Sequence, residues 1–177
     1  LRELVHGCLS VVALAAHEKQ LELVAMVYRD TPQTLLGDPA LLKQILIHLL
    51  GNAIRLAARD TIVIRAMLED DCSEFARLRI SVQYSDAGLA ADELREVFQA
   101  LEQTDNSATQ RSAGSATGLV IARRLAELMG GVIGMESTPD AGAELWICIS
   151  LAKTAVLPEP AASVLPGQRI GIFEHHD

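Results

Sequence analysis

Aromatic side chains, cysteine and positive charge are all scarce in this sequence of 177 residues. Only 3% of the residues are aromatic while 50% are hydrophobic, so we expect a core of leucine, isoleucine, valine and alanine. The formal net charge of −8 gives no indication of a nucleic-acid or anionic-membrane surface. Cys8, Cys72 and Cys148 are odd in number and widely spaced. This spacing argues against a disulfide framework or a metal cluster and suits a reducing cytosol.

Long apolar runs are missing as well. No stretch reaches the roughly 18 apolar residues that a membrane span needs, and Leu1 begins within a helical pattern without a signal peptide. The length of the chain predicts one domain and a short additional segment. We therefore expect a piece of a longer protein.

The clearest local pattern is a helix predicted over Gly37–Ala58, GDPALLKQILIHLLGNAIRLAA. Asp38 is a candidate N-cap, and Pro39 stands at the first helical position, where its missing N–H costs nothing. Apolar residues follow at the spacing of a core-facing stripe. They are Leu42, Ile45, Leu46, Leu49, Leu50, Ala53 and Ile54. Beside this stripe lies a polar column, which taken alone is typical of a solvated helix edge. It consists of Gln44, His48, Asn52 and Arg55.

The rest of the chain alternates predicted helices and strands. Further helices are predicted at 1–20, 91–102 and 117–129, the last ending in the C-cap signal Gly130-Gly131. Strands are predicted at 21–28, 61–68, 77–84, 132–137 and 144–151. The acidic segment 69–74 is a predicted hairpin connection, and 103–116 is a predicted loop. This order predicts an α/β sandwich with helices on one sheet face.

Several phrases of the sequence resemble the catalytic and ATP-binding domain of bacterial sensor histidine kinases. They are GDPALLKQIL-x-HLLGNAIRLA, RISVQ, EVFQALEQTDNS and TGLVIARRLAELMGG-x-IG-x-ES-x-P. The phrases LEQTDNS, RRLAELMGG and YRDTP are most similar to hybrid kinases of the BarA and GacS type. The resemblance implies the Bergerat fold shared with gyrase and MutL, an α/β (α+β) two-layer sandwich with a mixed, mainly antiparallel sheet. It also implies phosphoryl transfer from ATP to a histidine on an upstream dimerisation domain.

The same resemblance implies a division of the chain. Residues 1–154 would form the ATP-binding domain, 155–166 a Pro- and Ala-rich linker, and 167–177 the first strand of a truncated receiver domain. The implied partners are the protein's own dimerisation and phosphoacceptor helices, the receiver domain and, in a heteromeric complex, another sensor kinase. The implied location is the cytoplasmic portion of a bacterial inner-membrane sensor protein.

The family's nucleotide-binding positions can be matched residue by residue. Asn52 matches the asparagine that holds Mg²⁺, an ion that prefers hard oxygen ligands. His48 stands at the earlier asparagine of that box, and Arg55 at its basic position. Tyr84 falls at the aspartate that binds the adenine amino group, with Asp86 and Gly88 at the two glycines that follow it. In the second glycine-rich box the implied contacts are Gly114, Thr117, Gly118 and Leu119.

This sequence departs from the family pattern at most of these positions. Tyrosine lacks the acceptor geometry of a carboxylate, and its ring could occupy the adenine slot. Two of the four glycines of the second box are alanine, which restricts the backbone that approaches the phosphates. We therefore expect a pseudokinase in which binding of ATP and Mg²⁺ is weak or lost. The alternative is a register slid by two residues, in which Asp86 binds adenine and the domain is competent.

Three other features have plainer interpretations. His17, which precedes Glu18, lacks the context of a phosphoacceptor and is expected to be a surface histidine. The tail Glu174–Asp177, EHHD, could bind a metal but is expected to end the receiver strand. Trp146 is expected to pack in the core.

Overall fold

The computed structural model describes residues 1–32, 34–57, 61–85, 117–138 and 142–153. Within these ranges the helices are α1 (Arg2–Glu18), α2 (Pro39–Leu56) and α3 (Thr117–Leu128). The strands are β1 (Glu22–Val27), β2 (Leu35–Leu36), β3 (Thr61–Asp71), β4 (Phe75–Tyr84), β5 (Val132–Thr138) and β6 (Gly142–Lys153). The predicted helix at 91–102, the loop at 103–116, the linker at 155–166 and the strand at 167–177 lie outside the described residues.

The described strands form one sheet with the order β1-β3-β4-β6-β2, and β5 also pairs with β6. β1 runs parallel to β3, whereas the other pairs are antiparallel. β2 pairs with the C-terminal end of β6, and β5 pairs with its N-terminal part. The two-residue β2 was not predicted, because it is too short to show an alternating pattern. The expected sandwich with a mixed, mainly antiparallel sheet is confirmed.

The helices cover one face of this sheet. Along β4, Leu78, Ile80 and Val82 are fully buried, and they belong to an apolar cluster that includes residues of α1, α2 and α3. Every residue of the predicted apolar stripe of α2 is buried in that cluster. Among the described residues, no helix is long and apolar enough to cross a membrane.

Two predicted helix ends are confirmed by their hydrogen bonds. At the start of α2, Oδ1 of Asp38 accepts from the backbone N–H groups of Ala40 at 2.8 Å and Leu41 at 3.1 Å. After α3, Gly130 has φ of +69°, and the N–H of Gly131 donates to the carbonyl oxygen of Ala126 at 2.8 Å. This left-handed residue is the αL termination that glycine favours.

The hairpin between β3 and β4 differs from the prediction. Residues 69–71, expected in the connection, belong to β3, which continues to Asp71 after a register shift between Leu68 and Asp70. Their charges are matched across the sheet, since Glu69 pairs with Arg77 at 3.4 Å and Asp71 pairs with Lys153. Opposite charges on other strands of the sheet, Arg77 on β4 and Lys153 on β6, stabilise a strand that propensity alone would end sooner.

The expectation that Trp146 packs in the core is wrong. Side chains alternate along β6, and Leu145 and Ile147 take the buried positions beside it. Trp146 therefore lies on the outer face of the sheet, where the guanidinium carbon of Arg79 is 4.5 Å from its ring centroid. It covers Gly134 on β5, at which a Cβ atom would lie 2.3 Å from the ring.

The outer face also holds Cys148, one of three free cysteines. Its sulfur lies 3.3 Å from both carboxylate oxygens of Glu69. Burial and the neighbouring Glu69 carboxylate raise the pKa of the Cys148 thiol to about 11. Within the described residues, no group of three or more histidine, cysteine, aspartate or glutamate side chains could hold a metal ion.

Replacing Leu49 by alanine tests the burial of α2. Leu49 is 0% exposed, so the substitution leaves a cavity in the core. We expect the free energy of unfolding to fall by about 2–5 kcal/mol, measured by chemical denaturation. Leu14→Ala is the matched control, because Leu14 on α1 is 70% exposed. An equal effect of the two substitutions would contradict the packing described.

Replacing Gly134 by alanine tests the outer-face contact. The added methyl group must displace the indole ring of Trp146, and such overpacking costs about 1–3 kcal/mol. Because Trp146 is the single tryptophan, its fluorescence should shift in the native state as well. Gly51→Ala is the control: a Cβ there meets nothing within 4 Å, and alanine should stabilise α2. A stabilising effect at Gly134 would refute the contact.

Candidate nucleotide and metal site

The polar column of α2 meets the N-terminus of α3. A Cβ atom at Gly118, the second residue of α3, would lie 3.2 Å from Nδ1 of His48 and 3.3 Å from Nδ2 of Asn52. The missing side chain therefore allows α3 to begin directly against these two residues. His48 and Asn52 are one helical turn apart and lie on the same face of α2.

Asn52 is held in place by its own helix. It is 7% exposed, and its Nδ2 donates a hydrogen bond to the backbone carbonyl oxygen of His48 at 2.8 Å. Its Oδ1 accepts one long hydrogen bond, 3.5 Å from Nη2 of Arg55. Because a carbonyl oxygen has two lone pairs, Oδ1 can still bind a further partner.

His48, one helical turn before Asn52, carries a buried polar atom. Burial lowers the pKa of His48 below its ordinary value of 6.5, so the imidazole is neutral near pH 7. Its Nε2 is buried and has no hydrogen-bond partner in the part of the chain that the structure describes. A neutral imidazole has one N–H donor and one nitrogen with a free lone pair.

The N-terminus of α3 gives this site a partial positive charge. The first N–H groups of a helix have no partner within the helix, and the helix dipole is positive at this end. Anions such as phosphate are therefore attracted here. Leu119, the next residue of α3, is 1% exposed in the core and fixes the position of the helix start.

Tyr84 ends β4 and points to the face that the helices cover. It is 1% exposed and is among the largest fully buried side chains of the described residues. Its backbone lies against Gly142, where φ is +79° and a Cβ atom would lie 2.2 Å from the Tyr84 carbonyl oxygen. A large aromatic ring is thus part of the core at this strand end.

The comparisons with known proteins assign the family. The family described as "Histidine kinase-, DNA gyrase B-, and HSP90-like ATPase" matches residues 37–153. The chain belongs to this ATPase family. The matched range of the ATPase domain begins just before α2 and ends with β6, so it includes His48, Asn52, Tyr84 and Gly118.

Two relatives narrow the type of ATPase domain. The domain is 50% identical to the sensor protein GacS of Pseudomonas syringae pv. syringae, over 100% of this chain and 20% of that protein. It is 33% identical to the signal transduction histidine-protein kinase BarA of Escherichia coli strain K12, over 98% of this chain and 19% of that protein. The chain therefore spans about a fifth of the length of these curated relatives. The resemblance to kinases of this type is confirmed.

Solved structures confirm the fold. Full-length ShkA in complex with AMPPNP matches with a TM-score of 0.69 and 29% identity, over 86% of this chain and 30% of that chain. The catalytic domain of the histidine kinase ThkA matches with a TM-score of 0.58, over 87% of this chain and 92% of that chain. At 20% identity the ThkA match concerns the fold alone. The protein is thus an ATP-binding domain of the histidine kinase type.

The described residues include part of the expected site. Asn52 and Gly118 lie together, and Arg55 is hydrogen-bonded to Asn52. Leu119 and Tyr84 are buried in the core, and Thr117 begins α3. Asp86, Gly88 and Gly114 lie outside the described residues. His48, which was matched to the earlier asparagine of the family box, lies with Asn52 against Gly118.

The residues present fit the Mg²⁺ ion that the family implies. Mg²⁺ keeps several waters and takes one or two oxygen ligands from the protein. Oδ1 of Asn52 has a free lone pair, Nδ2 of the same amide lies at the N-terminus of α3, and Gly118 leaves open a space that a Cβ would fill. Asn52 would hold the ion, which neutralises phosphate charge when it is bound.

A double-mutant cycle tests the contact between Gly118 and His48. The methyl group of Gly118→Ala must displace the imidazole of His48 by a few tenths of an ångström, whereas in His48→Ala only the close contact with Nδ2 of Asn52 at 3.3 Å remains. We expect the two substitutions to be non-additive by about 0.5 kcal/mol or more in the free energy of unfolding. Gly7→Ala on α1, where a Cβ meets nothing within 4 Å, should combine additively with His48→Ala. Additivity in both cycles would contradict the contact.

Proposed function

We propose that this domain is the ATP-binding domain of a hybrid sensor histidine kinase in which nucleotide binding is weak, and that it acts as a pseudokinase module through its surfaces. The observation that supports this proposal is the complete burial of Tyr84. It stands where the family has the aspartate that binds the adenine amino group.

The adenine half of the site has lost its specific acceptor. A tyrosine hydroxyl cannot replace the two oxygens of a carboxylate, which accept hydrogen bonds in a fixed plane. Tyr84 is 1% exposed within the apolar cluster, so its ring is a structural part of the core rather than a side chain that moves aside for a base. Adenine recognition is therefore weak in this proposal.

The phosphate half of the site is only partly retained. Asn52 and the N-terminus of α3 meet at Gly118, which supports a role for them in holding Mg²⁺ and phosphate. The second glycine-rich box has alanine at Ala113 and Ala116, in a segment where glycine would let backbone N–H groups approach an anion. Positioning and charge neutralisation are the main tasks of a protein in phosphoryl transfer, and both are weakened here.

The rest of the proposal concerns the longer protein. The relatives are described as a sensor protein and a signal transduction histidine-protein kinase. By analogy, the reaction of the family is transfer of the γ-phosphoryl group to a histidine on adjacent dimerisation helices, on the cytoplasmic side of the inner membrane. Residues 1–154 would be the ATP-binding domain, 155–166 a linker and 167–177 the start of a receiver. The partners would be those helices, the receiver and, in a mixed complex, another sensor kinase.

A second candidate function is a competent kinase domain. The segment Asp86-Ala87-Gly88-Leu89-Ala90 follows β4 and is close to the family pattern Asp-x-Gly-x-Gly. In that arrangement Asp86 is the adenine ligand, and Tyr84 is only a core residue. The 50% identity to the sensor protein GacS favours this candidate.

Calorimetric titration with ATP, with and without Mg²⁺, distinguishes the two candidates. We expect no heat of binding below millimolar nucleotide, and no change on Asp86→Asn. The control variant is Asp30→Asn, an exposed residue distant in sequence from the matched boxes. A thermal melt of each sample shows that the domain is folded. Micromolar, magnesium-dependent binding that is lost in Asp86→Asn but kept in Asp30→Asn would refute the pseudokinase proposal.

A further inference from the structure

A cavity of about 250 Å³ opens at the starts of α1 and α2, beside the last residues of β6. Its apolar wall comes from four elements and from the residue that follows α3. These side chains are Leu4, Leu35, Leu42, Met129 and Leu151. Leu4, Leu35 and Met129 are only partly buried, although they pack against the core. They would be removed from water if another apolar side chain filled the cavity.

The end of β6 is fixed beside this cavity. Lys153, its last residue, pairs with Leu35 of β2, and the Lys153 ammonium group pairs with Asp71. Leu151 lies against the backbone of Gly37, where a Cβ atom would be 2.8 Å from Cδ2 of Leu151. The residues that follow Lys153 therefore start at the wall of the cavity.

The sequence after β6 carries an apolar pair at a suitable distance. The phrase Val-Leu-Pro occurs at 156–158 and again at 164–166. Leu157 is four residues after Lys153, so an extended chain places it up to about 14 Å away. A residue before proline favours the extended conformation, in which side chains alternate between two faces. Leu157 would then lie on the same face of the sheet as Leu151, the face that carries the cavity.

Charge favours the same direction for this segment. A second cavity of about 380 Å³ adjoins the first, and both are lined by Thr34, the residue before β2. An antiparallel continuation of β6 would pass Thr34 and reach this second cavity. Two arginines line it, Arg2 and Arg29, against one carboxylate, Glu3. Glu159, the first acidic residue after β6, suits this excess of positive charge.

We propose that the apolar cavity is a docking site for the segment that directly follows β6, with Leu157 as the side chain that fills it. The segment is tethered at Lys153, so its effective concentration at the cavity is high and no second molecule is needed. Pro158 and Pro160 restrict the free chain and reduce the entropy that docking costs. The docked segment fixes the direction in which the chain leaves the domain.

The methyl group of Met129 reports on the cavity. The four methionines of the chain all lie within the described residues, and Met129 is the one that lines the cavity. In the 177-residue protein labelled with ¹³C at its methionine methyl groups, we expect Leu157→Asp to shift the Met129 resonance and leave the other three in place. Leu165→Asp is the matched control, because it makes the same change in the second Val-Leu-Pro phrase. Met129→Leu assigns the resonance.

Chemical denaturation measures the docking independently. We expect Leu157→Ala to raise the equilibrium constant for unfolding by about fivefold, because apolar surface of the cavity returns to water. Leu165→Ala should leave this constant unchanged. A thermal melt of each variant shows that the domain is folded.

Three results would overturn the proposal. One is a Met129 resonance in Leu157→Asp that coincides with that of the parent protein. Another is an equal shift in Leu165→Asp. The third is a Met129 resonance of the parent that moves with protein concentration, because the segment of a second copy would then occupy the cavity.

Discussion

The burial of α2 between the sheet and the other helices is the constraint on which the rest of the structure depends. Its apolar stripe forms the middle of the core, with Ile45, Leu46 and Leu49 fully buried. Because these residues fix the rotation of the helix, they also fix the direction of its polar column. Asn52 and His48 face α3 for this reason, and the hydrogen bond from Nδ2 of Asn52 to the carbonyl oxygen of His48 then holds the amide in place.

The two faces of the sheet are stabilised by different interactions. The inner face is an apolar core, while the outer face holds Trp146 and a network around Arg79. The side chain of Arg79 is 20% exposed and pairs with Glu136 at 2.8 Å and with Glu144 at 3.4 Å. Although partial burial lowers the pKa of Arg79, the hydrogen bond and charge of Glu136 and the charge of Glu144 raise it above its ordinary value. Such partly exposed ion pairs contribute only modestly to the free energy of unfolding. Their main effect is to make the outer face of the sheet polar.

Under the proposed function, the domain keeps its scaffold while the nucleotide chemistry is altered. The family match over residues 37–153 covers the elements that build the core. In the proposed alignment Tyr84 stands in the place of a carboxylate, and His48 in the place of an asparagine. A buried ring would then replace an adenine acceptor, and an imidazole would replace a side-chain amide.

Local patterns in the sequence were sufficient to predict the start of α2 at Asp38 and the glycine termination of α3, because neighbouring residues supply those hydrogen bonds. Along β4, Leu78, Ile80, Val82 and Tyr84 alternate with more polar residues, and all four are buried in the core. What the sequence did not determine depends on distant residues. Trp146 lies outside the core because the helices cover the face of β6 that carries Leu145 and Ile147. β3 extends through its acidic residues because charges on other strands oppose them. The contact of Gly118 with His48 and Asn52 joins residues about 70 positions apart, so only the packing of α3 on α2 decides it.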